Sequence, residues 1–250
     1  MLYTQTLDKL QALRLEGMAQ ALEEQRHQND IVSLGFEDRL ALLVERQWLW
    51  KENRGLAIRL KNAQLKISAS LEDLDYRSSR GLKRAQIEQL RASQWVKECR
   101  NCLITGPTGS GKTYLACALG AQACREGYRT RYFYAPKFFR ALETARADGS
   151  HSKLLYHLGR VDLLAVDDFG MAPMTDTERR DFLEICDTRY QVRSMLLTSQ
   201  LPVANWHARI GDPTLADSIL DRLVHNAHRL ELKGESLRRK RGPKGGKENP

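Results

Sequence analysis

A chain of 250 residues with 42 % apolar content can bury a sizeable core, as one large domain or as one domain plus a small one. No apolar run approaches membrane-spanning length, and the N-terminus lacks the basic-then-apolar pattern of a secretory signal. The expectation is a soluble cytoplasmic protein with no membrane partner. The 40 Lys/Arg and 31 Asp/Glu leave a formal charge of +9, and it is uneven. Residues 1–76 carry 10 basic and 12 acidic side chains, 77–100 carry 7 and 2, 101–232 carry 16 and 15, and 233–250 carry 7 and 2. Within the first segment, residues 46–66 hold six basic residues and one Glu. Three basic blocks around a near-neutral core suggest a polyanion partner, most simply nucleic acid; solvated helix faces are the plainer alternative. Of the five cysteines, Cys99 and Cys102 have metal-like spacing. With no second pair and no His at zinc-finger distance, all five read as reduced thiols.

Residues 5–28 read as one helix, because Leu10, Leu13, Gly17, Met18 and Ala21 share a face. Asn29-Asp30 breaks it, and Phe36, Leu40, Leu43, Val44 and Gln47 mark a second. Arg46, Trp50 and Arg54 then fall four apart, and Arg59, Lys61 and Lys66 continue the basic character, so phosphate contact by this face is expected. Trp48 and Trp50 read as core. The expected organisation is a helical domain over 1–70, a nucleotide-binding domain over 71–240 and a basic, disordered tail over 241–250. Ser68 to Asp75 is a candidate hinge, and a helix with Ile87 and Leu90 leads into the main domain.

The main domain alternates strand and helix. Cys102-Leu103-Ile104 is a buried strand, and Gly106-Pro107-Thr108-Gly109-Ser110-Gly111-Lys112-Thr113 follows it as G-x-x-x-x-G-K-T. A helix from Tyr114 completes the strand–loop–helix setting of a phosphate-binding loop. The glycines let successive N–H groups face phosphate oxygens, and the helix N-terminus adds partial positive charge. Lys112 is placed for the β- and γ-phosphates of ATP, and Thr113 for Mg²⁺. Thr130 to Tyr134 is a second strand, followed by a helix from Pro136 to Ala145 and a short one over 152–158. Val161 to Val166 is a strand ending on Asp167-Asp168, the Walker B arrangement. Asp167 would bind Mg²⁺ and Asp168 would polarise the attacking water. Thr175 to Glu178 looks like a capping box. Ser194 to Ser199 is a fourth strand, ending at Gln200, where a polar group could report the γ-phosphate. A helix over 215–227 contains Asp221-Arg222-Leu223, and His228 to Leu232 is the last strand. The fold class is therefore α/β: a phosphate-loop domain with a five-stranded parallel sheet between helices. The fourth strand is expected between the two Walker strands, a small all-helical domain precedes, and no C-terminal helical lid follows.

Gly106 to Ala116, Leu163 to Gly170 and Arg189-Tyr190 resemble the IstB/DnaC group of AAA+ ATPases. Gly211-Asp212-Pro213, Asp221 to Ala227 and Gly234 to Arg238 are similar to its IstB branch, the transposition helpers of bacterial insertion sequences of the IS21 type. The resemblance implies an ATPase that forms a homo-oligomer on duplex DNA with active sites at subunit interfaces, helps choose the target and engages an integrase-type transposase. Carried onto this sequence, Gly106 to Tyr114 bind ATP, Thr113 and Asp167 hold Mg²⁺, and Asp168 activates water. Gln200 takes the sensor position, where such proteins commonly have Asn. Arg222 matches the arginine finger that reaches a neighbour's γ-phosphate. Arg238 matches a second sensor or, with Arg239, touches DNA. A helicase loader and a small-molecule kinase are the competing readings. The first would bind a protein ring and single strands; the second would need a substrate lid.

Overall fold

The computed structural model describes residues 2–76 and 81–234, which places Arg238, Arg239 and the expected tail outside the described residues. The chain divides into two units, Met1–Ile58 and Arg59–Pro250.

The first unit is helical. The single helix expected over 5–28 is two, α1 (Leu2–Ala12) and α2 (Glu16–His27). Arg14 between them adopts a left-handed conformation (φ 60°). Its N–H bonds to Gln11 O at 2.8 Å, and the Leu15 N–H reaches back to Leu10 O at 2.8 Å. This is the closing pattern of a helix C-terminus, which usually carries Gly at the left-handed position. Here Arg fills it, so periodicity gave no sign of the break. α2 then lies on α3 (Phe36–Ala63) at Gly17, where a Cβ would sit 2.6 Å from Trp50 Cβ and 2.9 Å from Arg46 O. The Met18 N–H donates to Gln47 Oε1 across the same contact at 3.0 Å. Trp50 is half-buried there, whereas Trp48 is 58 % exposed and is not a core residue.

The second unit begins before the boundary expected at residue 70. Ala63, Ala69 and Leu71 are already buried, and Leu71 belongs to the core against the sheet. The 68–75 stretch is therefore anchored by packing rather than built as a free hinge. Next come α4 (Arg84–Arg91), α5 (Gln94–Lys97), β1 (Asn101–Thr105), α6 (Lys112–Arg125) and β2 (Thr130–Tyr134). After these follow α7 (Ala135–Ala147), α8 (His151–Arg160), β3 (Leu163–Asp167), α9 (Asp176–Arg189) and β4 (Ser194–Ser199). The chain then forms α10 (Trp206–Ile210), α11 (Pro213–Val224) and β5 (Ala227–Glu231). All strand pairs are parallel, in the order β2-β3-β4-β1-β5, so β4 separates the two Walker strands as expected.

Both faces of the sheet are covered, and strand alternation sorts side chains between them. Cys102, Ile104, Leu163, Ala165 and Leu196 pack with α4 and α6 on one side. Leu103, Leu164, Val166, Met195 and Leu197 pack with α7, α9 and α11 on the other. Thr175 and Glu178 form the expected capping box of α9. At its far end Arg189 is 1 % exposed and donates to the carbonyls of Leu158, Val161, Asp162 and Ser194. Burial lowers its pKa to about 9, so it remains charged at neutral pH. It ties the end of α8 to the entries of β3 and β4.

Candidate nucleotide site

The C-terminal ends of β1, β3 and β4 converge on one site. β1 ends at Thr105, and the chain turns sharply at Gly106, where a Cβ would lie 2.4 Å from Leu232 O. Only glycine tolerates that approach. Gly111 (φ 99°) is the N-cap of the 14-residue α6, and no side chain caps the helix there. The N-terminus of α6 and its helix dipole thus face the loop. Ser110 Oγ is buried without a hydrogen-bond partner. Lys112 is buried, and its Nζ donates to Gly106 O at 2.8 Å and Pro107 O at 3.0 Å, across the mouth of the loop. An orphaned buried hydroxyl, an uncapped helix N-terminus and a buried ammonium in one concave turn fit an anionic phosphate chain.

Thr113, one residue into α6, faces β3. Its Oγ1 donates to Asp167, at 2.9 Å from Oδ2 and 3.2 Å from Oδ1. Asp167 is fully buried and also accepts Tyr132 OH at 2.7 Å and Thr198 Oγ1 at 2.6 Å. Burial and the adjacent carboxylate push the Tyr132 phenol far above its usual pKa, so it stays protonated and donates. A hydroxyl and a carboxylate side by side form the hard oxygen donor set that suits Mg²⁺. Asp168 follows in a left-handed conformation (φ 61°), which Asp tolerates better than most residues. Its N–H donates to Thr198 Oγ1 at 2.9 Å, and the Phe169 N–H donates to Thr198 O at 2.7 Å. Thr198 therefore holds the Asp167 carboxylate and the Asp168 backbone together. Gln200, exposed at the end of β4, accepts from Thr108 Oγ1 at 2.8 Å, placing it at the loop's tip. Tyr114 turns the other way, its hydroxyl 3.3 Å from both the N and O of Ser70.

Arg222 is not brought to this site. Its carbonyl accepts Asn101 Nδ2 at 3.0 Å, and Asn101 opens β1 whereas the phosphate loop follows its end. The five residues of β1, at about 3.3 Å each, put roughly 15 Å between Arg222 and its own loop. The guanidinium pairs with Asp187 and donates to Ser218 O at 2.8 Å.

Among the described residues expected to meet DNA, several already have partners within the chain. In the first unit Arg46 pairs with Glu24 at 2.5 Å, and the Arg54 guanidinium lies 4.9 Å from the Trp50 ring centre. In the second, Arg59 Nε donates to Cys124 O at 2.8 Å, capping the end of α6, while Lys61 is exposed. Lys66 departs furthest from expectation, its Nζ lying 3.9 Å from Asp167 Oδ2. Tyr132, Thr198 and Lys66 are the site residues that sequence reasoning missed. A threonine directly after the apolar run Met195-Leu196-Leu197, still within the strand, was the one available signal, since a buried polar group needs a partner.

The IstB-like ATP binding protein model matches residues 8–244. The chain belongs to the IstB-like ATP-binding family. An insertion sequence ATP-binding protein of Sinorhizobium fredii is 49 % identical over 239 residues, covering 96 % of this chain and 98 % of the relative. The IS21 ATP-binding protein of Pseudomonas aeruginosa is 32 % identical over 237 residues, covering 95 % and 89 %. Among solved structures, DnaI superposes with a TM-score of 0.57 at 23 % identity, over 66 % of this chain and 91 % of that one. AMPPCP-bound DnaA from Aquifex aeolicus gives 0.58 at 22 %, over 71 % and 54 %. At these identities the likeness establishes the AAA+ fold alone. Within this IstB-like chain, no helix of the described residues is long and apolar enough to cross a membrane.

Proposed function

We propose that this IstB-like protein is an AAA+ ATPase that assembles on duplex DNA and assists transposition, with each site completed by a neighbouring subunit. The observation that carries the reading is the position of Arg222, at the end of the sheet opposite its own phosphate loop. From there Arg222 does not reach its own phosphate loop, and as an arginine finger it would act on a different molecule's nucleotide, which would make hydrolysis depend on assembly.

In this mechanism the N–H groups of the loop and Lys112 hold the β- and γ-phosphates. Thr113 and Asp167 would hold Mg²⁺, which would neutralise charge on the phosphates when bound. Asp168 accepts a hydrogen bond from a water and draws off its proton as the water oxygen bonds to the γ-phosphorus. The bond from that phosphorus to the β–γ bridging oxygen breaks, releasing ADP and phosphate. The neighbour's Arg222 stabilises the charge that builds on the transferring group. Gln200, tied to Thr108, is placed to sense loss of the γ-phosphate.

The DNA partner rests on charge. Lys61 is exposed, Arg46 and Arg54 are exposed though paired with Glu24 and Trp50, Arg59 and Lys66 have partners in the second unit, and Arg238 and Arg239, outside the described residues, are proposed on charge alone. Backbone contact by these groups predicts duplex binding that weakens about a hundredfold between about 50 and 200 mM salt and barely depends on sequence. Fluorescence anisotropy with two unrelated plain duplexes checks this. Salt-insensitive binding, or a strong preference for one duplex, would remove the backbone-contact account. The transposase partner follows from the insertion-sequence family and is tested by co-purification with an integrase-type transposase against a replicative helicase.

A further inference from the structure

Asp167 is fully buried, and a buried carboxylate is costly unless its charge is met. Three hydroxyls, from Thr113, Tyr132 and Thr198, satisfy its oxygens but carry no charge. One positive charge beside it comes from outside the sequence motifs of the fold. Lys66 lies shortly after α3, and its Nζ is 3.9 Å from Asp167 Oδ2 and 5.3 Å from the centre of the Tyr134 ring. Its backbone is anchored. Ala63 and Ala69 on either side of it are buried, and the Ser70 N–H donates to Tyr114 OH of α6 at 3.3 Å. The side chain itself is not locked, being 44 % exposed. An ammonium that is tethered at its base, steadied by an aromatic face and free at its tip can give up its partner to a competitor.

We infer that Lys66 is a nucleotide-site residue whose ammonium stands beside Asp167 and competes for the charge position that Mg²⁺ would take with ATP. The inference rests on the reading of this site as an ATP site. Two consequences oppose each other. Lys66 offsets the repulsion between Asp167 and an incoming triphosphate that carries no metal. It also competes with the metal for Asp167. Lys66 thus narrows the difference between ATP affinity with and without Mg²⁺.

The test is the affinity of the full-length protein for a fluorescent ATP analogue in EDTA and in Mg²⁺, together with the Mg²⁺ midpoint at fixed nucleotide. Lys66→Met and Lys66→Gln should each raise the ratio of the two dissociation constants about fivefold, the scale of a partly screened unit charge at this distance. Both should lower the Mg²⁺ midpoint. Lys66→Arg, which keeps the charge, should stay near wild type. A packing role alone would shift both constants together, and that result, or an unchanged ratio, would overturn the inference. Lys112→Ala separates the two claims. If it binds the analogue in Mg²⁺ as well as wild type does, the ATP-site reading fails. If it abolishes binding while the Lys66 variants leave the ratio unchanged, only the role of Lys66 fails.

Discussion

Replacing Arg222 by Ala is expected to lower ATP turnover about a thousandfold in the assembled protein while leaving nucleotide affinity of the separate chains unchanged. The size follows from the chemistry: a guanidinium that meets charge developing in the transition state acts on kcat rather than on binding. The location follows from the fold, since the Arg222 main chain is bonded to Asn101 at the start of β1 while the phosphate loop lies past its end. Mixing makes the expectation sharper. Arg222→Ala retains an intact phosphate loop, and Lys112→Ala retains an intact Arg222. Each should be inactive alone, and an equal mixture should recover activity at the mixed interfaces. A mixture as inactive as its parts would show that Arg222 does not act across subunits. The Arg222 side chain is held by Asp187 and by Ser218 O, so acting across subunits would require it to leave Asp187.

Asp168→Asn is expected to reduce turnover by about a hundredfold or more, because the amide cannot accept the water's proton. ATP binding should survive. Asn tolerates the left-handed backbone that Asp168 adopts, and the N–H bond to Thr198 Oγ1 does not involve the side chain. If bound ATP holds neighbouring subunits together through Arg222, this variant should remain assembled for longer than wild type in ATP. Light scattering after ATP addition checks it: assemblies that decay as fast as wild type would detach hydrolysis from disassembly. Asp167→Asn should behave differently, since that carboxylate accepts three hydroxyls and its loss disturbs β2, β4 and α6 together.

The sheet was legible because its strands are short apolar runs buried on both faces, and the order of the phosphate loop, the Asp-Asp ending and the Gln200 strand fixed their arrangement. Lys112, Thr113 and Asp167 were legible because their spacing encodes a loop geometry. What escaped was information held in side-chain reach across the sheet. Thr198 pairs in register with Ile104, and its hydroxyl crosses to β3, which no local pattern announces. Lys66 looked like one more charge in the basic run over 46–66 because charge counts do not say where a side chain ends. For the same reason the sequence gives no sign that Arg59 Nε closes the end of α6. Arg14 hid a helix end because its left-handed backbone is bought by two main-chain hydrogen bonds rather than by a glycine. The buried positions Ala63 and Leu71 moved the boundary of the second unit ahead of residue 70, and both are too isolated in sequence to mark a domain edge.

The most direct test of an ATPase completed between subunits is sedimentation of the protein with ATP, with ADP and with neither, each with and without plain duplex. The account predicts a large species that needs both ATP and duplex, and that fails to form with ADP. A monomer under all six conditions would contradict the trans role of Arg222 and the assembly mechanism, while leaving the phosphate loop as a nucleotide site.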